Sequence, residues 1–255
     1  MTNLPENIIV EARDVSFSYP EEPDRHVLNN LNLQVCRGEC VAILGESGAG
    51  KTTLLKLLCG LLQPSRGQIL FEGKPLQGPR NDIALIFQNY GLFPWKTVRE
   101  NILLPAHLRR AARSKEADKN ELEKLLDYLG LREFAHRFPA ELSGGQLQRT
   151  ALGRAVMSGA SLLLMDEPFS ALDLRNRMRL QNFMKTFLED MGMTSVIVTH
   201  SIEEALCMGD RVAVFDPERG RIRKIWEGCR QETDPDPAVI DERSRLIRES
   251  LLQTQ

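Results

Sequence analysis

Two hydrophobic periods alternate along the chain, and where each holds predicts a different kind of element. Val15, Phe17 and Tyr19 recur at every second position, as do Leu31, Leu33 and Val35. Residues 8–36 therefore read as antiparallel strands with one buried face, interrupted by Pro20 and the acidic loop after it. Elsewhere the alternation gives way to short continuous apolar runs, at residues 41–44, 82–88, 161–167 and 194–200, each bounded by polar or glycine residues. Runs of this kind suit parallel strands buried on both faces. Residues 68–73 read as a further short strand, and residues 211–216 as the last core strand before a turn at Gly220. A helical period takes over at residues 53–58 and again from 89 to about 159, where Leu122, Leu125, Leu126 and Leu129 repeat at i, i+3, i+4 and i+7 before Gly130. Thr97 and Glu100 have capping-box spacing ahead of residues 101–104. Leu180, Phe183, Met184, Phe187 and Leu188 stripe one more helix, and residues 234–237 read as a linker to a short helix at about 244–252.

The chemistry sits where these runs end. Between the strand at 41–44 and the helix at 53–58 lie Gly45, Glu46, Ser47, Gly48, Ala49, Gly50, Lys51 and Thr52, which fit G-x-x-x-x-G-K-[ST] in the strand-loop-helix context the motif requires. Its glycines let backbone N–H groups turn inward, the helix start adds unsatisfied donors, and Lys51 adds a full charge, so the loop suits a polyphosphate with Thr52 placed for Mg²⁺. The run at 161–167 ends in Asp166 and Glu167: the first can hold Mg²⁺ directly or through water, the second can orient or deprotonate an attacking water. Gln88 ends another run on the edge where α/β sheets bind ligands, within reach of the metal or the water, and His200 ends a third, placed to donate to a terminal phosphate. Tyr19 carries a polar tip near the phosphate loop, which suits either base stacking or an ordinary edge position. A second helix start, at Leu142, Ser143, Gly144, Gly145 and Gln146, has capping-box spacing but spends two glycines in its first turn. It is a second anion-ready helix end, and one nucleotide hardly needs both from the same molecule.

Composition narrows the partners. A formal charge of −2 and a pI of about 6.2 give no basic excess for nucleic acid. No apolar run approaches the roughly 18 to 20 residues of a membrane span, and the acidic, polar N-terminus does not resemble a signal peptide. Five scattered cysteines without a C-x-x-C pair read as reduced thiols, with no zinc site.

Together, residues 19–200 resemble the ATP-binding subunit of an ABC transporter. The resemblance implies an α/β fold: a RecA-like P-loop core with an antiparallel β subdomain at about 1–88 and 160–230, a helical subdomain inserted at about 89–159, and a short tail at 231–255. It assigns Tyr19 to adenine stacking, residues 45–52 with Thr53 to the Walker A loop, Gln88 to the Q-loop, residues 142–146 to the LSGGQ signature and residues 162–166 to Walker B. Glu167 becomes the catalytic glutamate, residues 170–173 with Asp173 the D-loop, and His200 the switch histidine. Catalysis then falls to Glu167, His200, Gln88 and Lys51, with Mg²⁺ held by Thr52, Gln88 and Asp166. In that family two nucleotide domains pack head to tail around ATP, which gives the second helix start its use, and membrane permease subunits receive the motion. The expected partners are thus a second copy, a permease and indirectly a solute-binding protein, at the cytoplasmic face of the membrane. Residues 87–98 and 198–205 are similar to those of importers for nitrate, sulfonates and taurine, as is the short tail, while residues 215–221 match that group's proline- and arginine-rich loop only loosely. The stretch 90–95, apolar for a loop, reads as a permease-docking surface or as a segment buried on the core. A soluble ABC-type ATPase acting on nucleic acid is the alternative; it would be expected to carry heptad arms, zinc cysteines or a basic surface.

Overall fold

The computed structural model describes residues 7–108, 115–170, 172–231 and 237–252. The first alternating stretches form β1 (Ile8–Phe17) and β2 (Leu28–Cys36), paired antiparallel, and β1 continues to β4 (Arg66–Phe71) and then β5 (Lys74–Pro75) in a four-stranded sheet. Tyr19 lies two residues past the end of β1. The apolar runs form the second sheet, in the order β10-β9-β3-β8-β7-β6. Here β3 (Cys40–Leu44), β6 (Ile83–Ile86), β7 (Leu162–Asp166), β8 (Thr194–Thr199) and β9 (Arg211–Asp216) run parallel. β3 lies between β8 and β9, and all of its side chains are buried, which is why its sequence shows no alternation.

Three details depart from the sequence reading. β9 is not the last strand: β10 (Arg221–Glu227) pairs antiparallel with it on the sheet's edge, and its half-exposed, charge-rich sequence hides a strand that backbone pairing stabilises. The short β5 was likewise not expected. The terminal helix, α7 (Pro237–Leu252), begins seven residues before the expected start at 244, at a proline that suits the first helical position; the rest of the expected linker, 234–236, lies outside the described residues.

Helices cover both faces. α1 (Lys51–Leu58) packs Leu54, Leu55, Leu57 and Leu58 into the apolar layer it shares with β1 and β2. On the other side α2 (Val98–Leu108), α3 (Lys115–Tyr128), α4 (Gly144–Ser158) and α5 (Leu174–Asp190) share one cluster with the sheet: Ile102, Leu122, Leu126 and Leu129 meet Leu163, Met165 and Phe187. The expected Thr97 box forms, with Thr97 N donating to Glu100 Oε2 at 2.8 Å. After α3, Leu131 N returns to Leu126 O at 2.8 Å across Gly130, whose φ of 63° closes the helix. A shorter α6 (Ile202–Met208) and α7 cover a third apolar cluster through Ala205, Leu206 and Ile247.

The stretch after Gln88 is neither a free loop nor core. Asn101, fully buried on α2, accepts from Phe93 N at 2.8 Å and donates to Lys96 O at 2.9 Å and Thr97 O at 3.0 Å, knotting the segment onto the helix. Tyr90 is buried while Trp95 stays 69% exposed. Burial on the core therefore holds for Tyr90, and Trp95 is left exposed.

Candidate nucleotide site

The parallel strands β3, β7 and β8 end together at one edge, and their last residues set the site. Beyond β3, Gly45 N donates to Thr199 O at 3.3 Å, which anchors the phosphate loop to β8. Gly50 takes φ 104° just before α1, and a Cβ there would lie 2.8 Å from Val27 Cγ1, so conformation and space both require glycine. Lys51 is 4% exposed; its Nζ donates to Gly45 O at 2.8 Å and Glu46 O at 2.6 Å, leaving a third donor for the cavity beside it. Burial lowers its pKa, and the nearby Glu167 and Asp166 charges pull the other way. A cavity of about 440 Å³ opens here, with Tyr19, Ser47, Gly48, Lys51, Thr52 and Glu167 in its lining. Tyr19 stands edge-on to Phe17 and shares a hydrogen bond of 2.9 Å with Thr53 Oγ1, so its ring is fixed at the cavity wall.

At the end of β7, Thr52 Oγ1 donates to Asp166 Oδ2 at 2.8 Å. Burial raises the Asp166 pKa, the Thr52 hydroxyl opposes that shift, and the Glu167 charge adds to it. A buried carboxylate beside a hydroxyl, with its ionised form disfavoured, suits a hard cation. Among the described residues no three His, Cys, Asp or Glu side chains gather to hold a metal by themselves. The donors present therefore fit Mg²⁺ shared with phosphate oxygens and water, not a closed protein cage.

Glu167 adopts φ 46°, a left-handed conformation costing a non-glycine residue about 1–3 kcal/mol, and is fixed there by Glu167 N to Val198 O at 3.0 Å and Ser170 Oγ to Glu167 O at 3.0 Å. The turn aims its carboxylate back at the loop, and His200 Nδ1 lies 3.3 Å from Glu167 Oε2. Gln88, two residues past β6 in the turn rather than on the strand, donates to Ser170 Oγ at 3.2 Å and shares a second concavity with Asp166. Tyr19, residues 45–53, Gln88, Asp166, Glu167 and His200 thus come together.

The second helix start does not join them. None of residues 142–146 lines the cavity. Ser143 caps α4 as its spacing predicts, accepting from Gln146 N at 3.4 Å while Ser143 N donates to Gln146 Oε1 at 2.8 Å. Ser143 is exposed, and a Cβ on Gly145 would meet nothing within 4 Å. Asp173 caps α5, accepting from Asn176 N at 3.1 Å, and it too lies outside the cavity lining.

One spacing is only half fulfilled, and one feature carries no signal in the sequence. The spacing of Ser201 and Glu204 predicts a reciprocal box, but Glu204 turns inward and accepts from Thr199 Oγ1 at 2.6 Å, leaving only the serine half, from Glu204 N to Ser201 Oγ at 3.2 Å. The cavity lining also includes Glu22 and Arg25, ion-paired at 3.1 Å in the acidic loop, which no local pattern marks.

Comparison with known proteins agrees with this geometry. The ABC transporter family model matches residues 28–170. The aliphatic sulfonates import ATP-binding protein SsuB 2 of Burkholderia cenocepacia is 38% identical over 226 residues, 88% of this chain and 82% of that protein. The spermidine/putrescine import ATP-binding protein PotA of Lawsonia intracellularis is 42% identical over 85% of this chain but 58% of its own length. Among solved structures, the dimeric ATP-binding cassette MJ0796 in a post-hydrolysis state bound to ADP and Pi superposes with a TM-score of 0.73 at 30% identity, covering 86% of this chain and 98% of that one. The chain belongs to the ABC transporter family and is one of its ATP-binding, ATP-hydrolysing subunits.

Proposed function

We propose that two copies of this chain close on two MgATP, each triphosphate lying between the phosphate loop of one copy and the Ser143 helix start of the other. Their closing and opening powers a membrane importer of a small anion such as nitrate, a sulfonate or taurine. One observation carries the reading: the cavity holds Lys51, Thr52 and Glu167, while the Gly144–Gly145 helix start stays outside it with an exposed serine. Each copy then offers one half-site of each kind, and a head-to-tail pair completes two.

In this reading Lys51 and the loop N–H groups of residues 45–53 bind the phosphates, and Tyr19 packs on the adenine. Thr52, Asp166 and Gln88 hold Mg²⁺, which supplies charge neutralisation on the phosphates when bound. Glu167 receives the proton of the attacking water, and His200 orients the terminal phosphate oxygen. Ser143, Gly144, Gly145 and Gln146 present donors across the interface, and Asp173 faces the opposite copy. Residues 89–159 act as the helical insert that passes motion from Gln88 to a permease at the cytoplasmic membrane face, with residues 231–255 as a separate tail. A solute-binding protein delivers the solute outside. The solute class is favoured by the similarity of residues 87–98 and 198–205 to those of importers for nitrate, sulfonates and taurine.

Glu167→Gln should lower ATP turnover by about 10²–10⁴-fold while ATP still binds and a dimer accumulates. In that background, cysteines introduced by Ser47→Cys and Ser143→Cys should cross-link between copies only with MgATP present. Wild-type turnover in Glu167→Gln would remove the assigned base, and absence of the intersubunit product would remove the sandwich. With the permease in liposomes, stimulation by spermidine but not by taurine, alkanesulfonate or nitrate would overturn the solute class.

A further inference from the structure

We propose that Cys207 and Cys229 are a reactive thiol pair that closes to an intramolecular disulfide when the chain meets a peroxide. Cys207 sits in the last turn of α6 and Cys229 just beyond β10, far apart in sequence, yet Cys229 N donates to Leu206 O at 2.8 Å. The peptide that carries Cys207 therefore abuts the backbone of Cys229, a separation compatible with the usual Cα span of about 4.4–6.8 Å for a disulfide. Both residues line one cavity of about 450 Å³ between α5, α6 and α7, where Met178, Leu206 and Ile240 stand beside the charged Arg177, Lys185 and Glu203. From α7, Arg243 Nη1 donates to Gly228 O at 2.7 Å and to Cys229 Sγ at 2.9 Å, which fixes the deeper sulfur.

The two thiols divide the work by exposure. Cys207 is half-buried and Cys229 is 2% exposed, so oxidant reaches Cys207 first. Its sulfur attacks the peroxide: an S–O bond forms, the O–O bond breaks, and one water leaves to give the sulfenic acid. Cys229 sulfur then attacks Cys207 sulfur; the S–S bond forms, the S–O bond breaks, and a second water leaves. Two thiols lose two hydrogens and one peroxide is reduced to two waters. Cys40 and Cys59 are built for the opposite outcome. Burial pushes the Cys40 thiol up to about 12 and raises Cys59 as well, and Cys59 Sγ donates to the Lys56 carbonyl at 3.3 Å.

The pair stands independently of the nucleotide half-sites. The test exposes the full reduced chain to hydrogen peroxide and maps its peptides without reductant by mass spectrometry. The expected product has lost two hydrogens, joins the Cys207 and Cys229 peptides within one chain, and reverts in dithiothreitol. Cys229→Ser should leave Cys207 as a sulfenic acid that dimedone captures, and Cys207→Ser should leave Cys229 unmodified over the same time. If both thiols of the wild-type chain stay separately alkylatable, or Cys207 carries a stable adduct while Cys229 remains a thiol, or the link joins two chains, the proposal fails.

Discussion

Lys51 and Ser143 both stand at the start of a glycine-preceded or glycine-rich helix, yet the fold treats them in opposite ways. At Lys51 the loop is enclosed. Gly50 is pressed against Val27, Lys51 is 4% exposed, and two carboxylates arrive from the end of β7 and the residue after it. At Ser143 the helix is capped by its own Gln146, the serine is exposed, and Gly145 has open space where a side chain would go. A glycine that packs against its neighbours explains itself. A glycine in open space, in a first helical turn, disfavours the helix relative to alanine and gains nothing within its own chain. In the proposed dimer this contrast makes Lys51 the centre of one half-site and Ser143 part of the half-site that the other copy completes.

Three substitutions sharpen or break that contrast. Gly50→Ala should have the largest effect: φ 104° and a 2.8 Å approach to Val27 Cγ1 would distort the phosphate loop, with a loss of about 1–3 kcal/mol in stability and of ATP binding altogether, read by thermal melting and nucleotide titration. Near-normal ATP affinity in that variant would mean the enclosed loop is not the phosphate site. Gly145→Ala should do the reverse to the monomer. With nothing near its Cβ, it should hold or raise stability, by up to about 1 kcal/mol, and leave ATP binding by the isolated chain unchanged. Turnover should nevertheless fall, on the order of tenfold, because in the proposed dimer the added methyl faces the other copy's nucleotide. Unchanged turnover would return Gly145 to the status of an ordinary surface glycine.

The smallest expected effect on stability comes from the Asp166 carboxyl. Burial raises the Asp166 pKa above its usual 3.8, so the native state holds the proton more tightly than the unfolded chain. Stability of the nucleotide-free protein should therefore decline as pH rises from the unfolded carboxylate range through the raised native pKa, with the penalty complete above it. Asp166→Asn keeps an acceptor for Thr52 and removes the charge. It should flatten this slope and raise the melting temperature at neutral pH by a few degrees, while depressing Mg²⁺-dependent turnover. A melting temperature that falls at neutral pH would show that the carboxylate stabilises the empty site.

Much of the core was legible because its constraints are local. A strand buried on both faces must be apolar throughout, so residues 41–44 and 162–166 declare themselves, and a phosphate loop needs its glycines at set intervals. Caps are nearly as readable: Thr97 and Ser143 both cap the helices their spacing announces. Glu204 was not, because the same four-residue pattern is satisfied by a serine cap whether the glutamate turns back to the helix start or inward to Thr199. β10 escaped because an edge strand held by backbone bonds along β9 needs no apolar alternation of its own.

The sequence by itself determined the order of chemical groups along the chain: the phosphate loop, the strand-ending carboxylates, and a second anion-ready helix start. Their shared location was decided only by the tertiary structure. Parallel pairing of β3, β7 and β8 brings ends more than a hundred residues apart to one sheet edge, where Thr52 reaches Asp166 and Glu167 reaches His200. The same packing leaves Ser143 outside that edge. Spacing can prescribe a helix cap because the cap closes within one turn; which cap faces a cavity and which faces a neighbour depends on how distant strands stack.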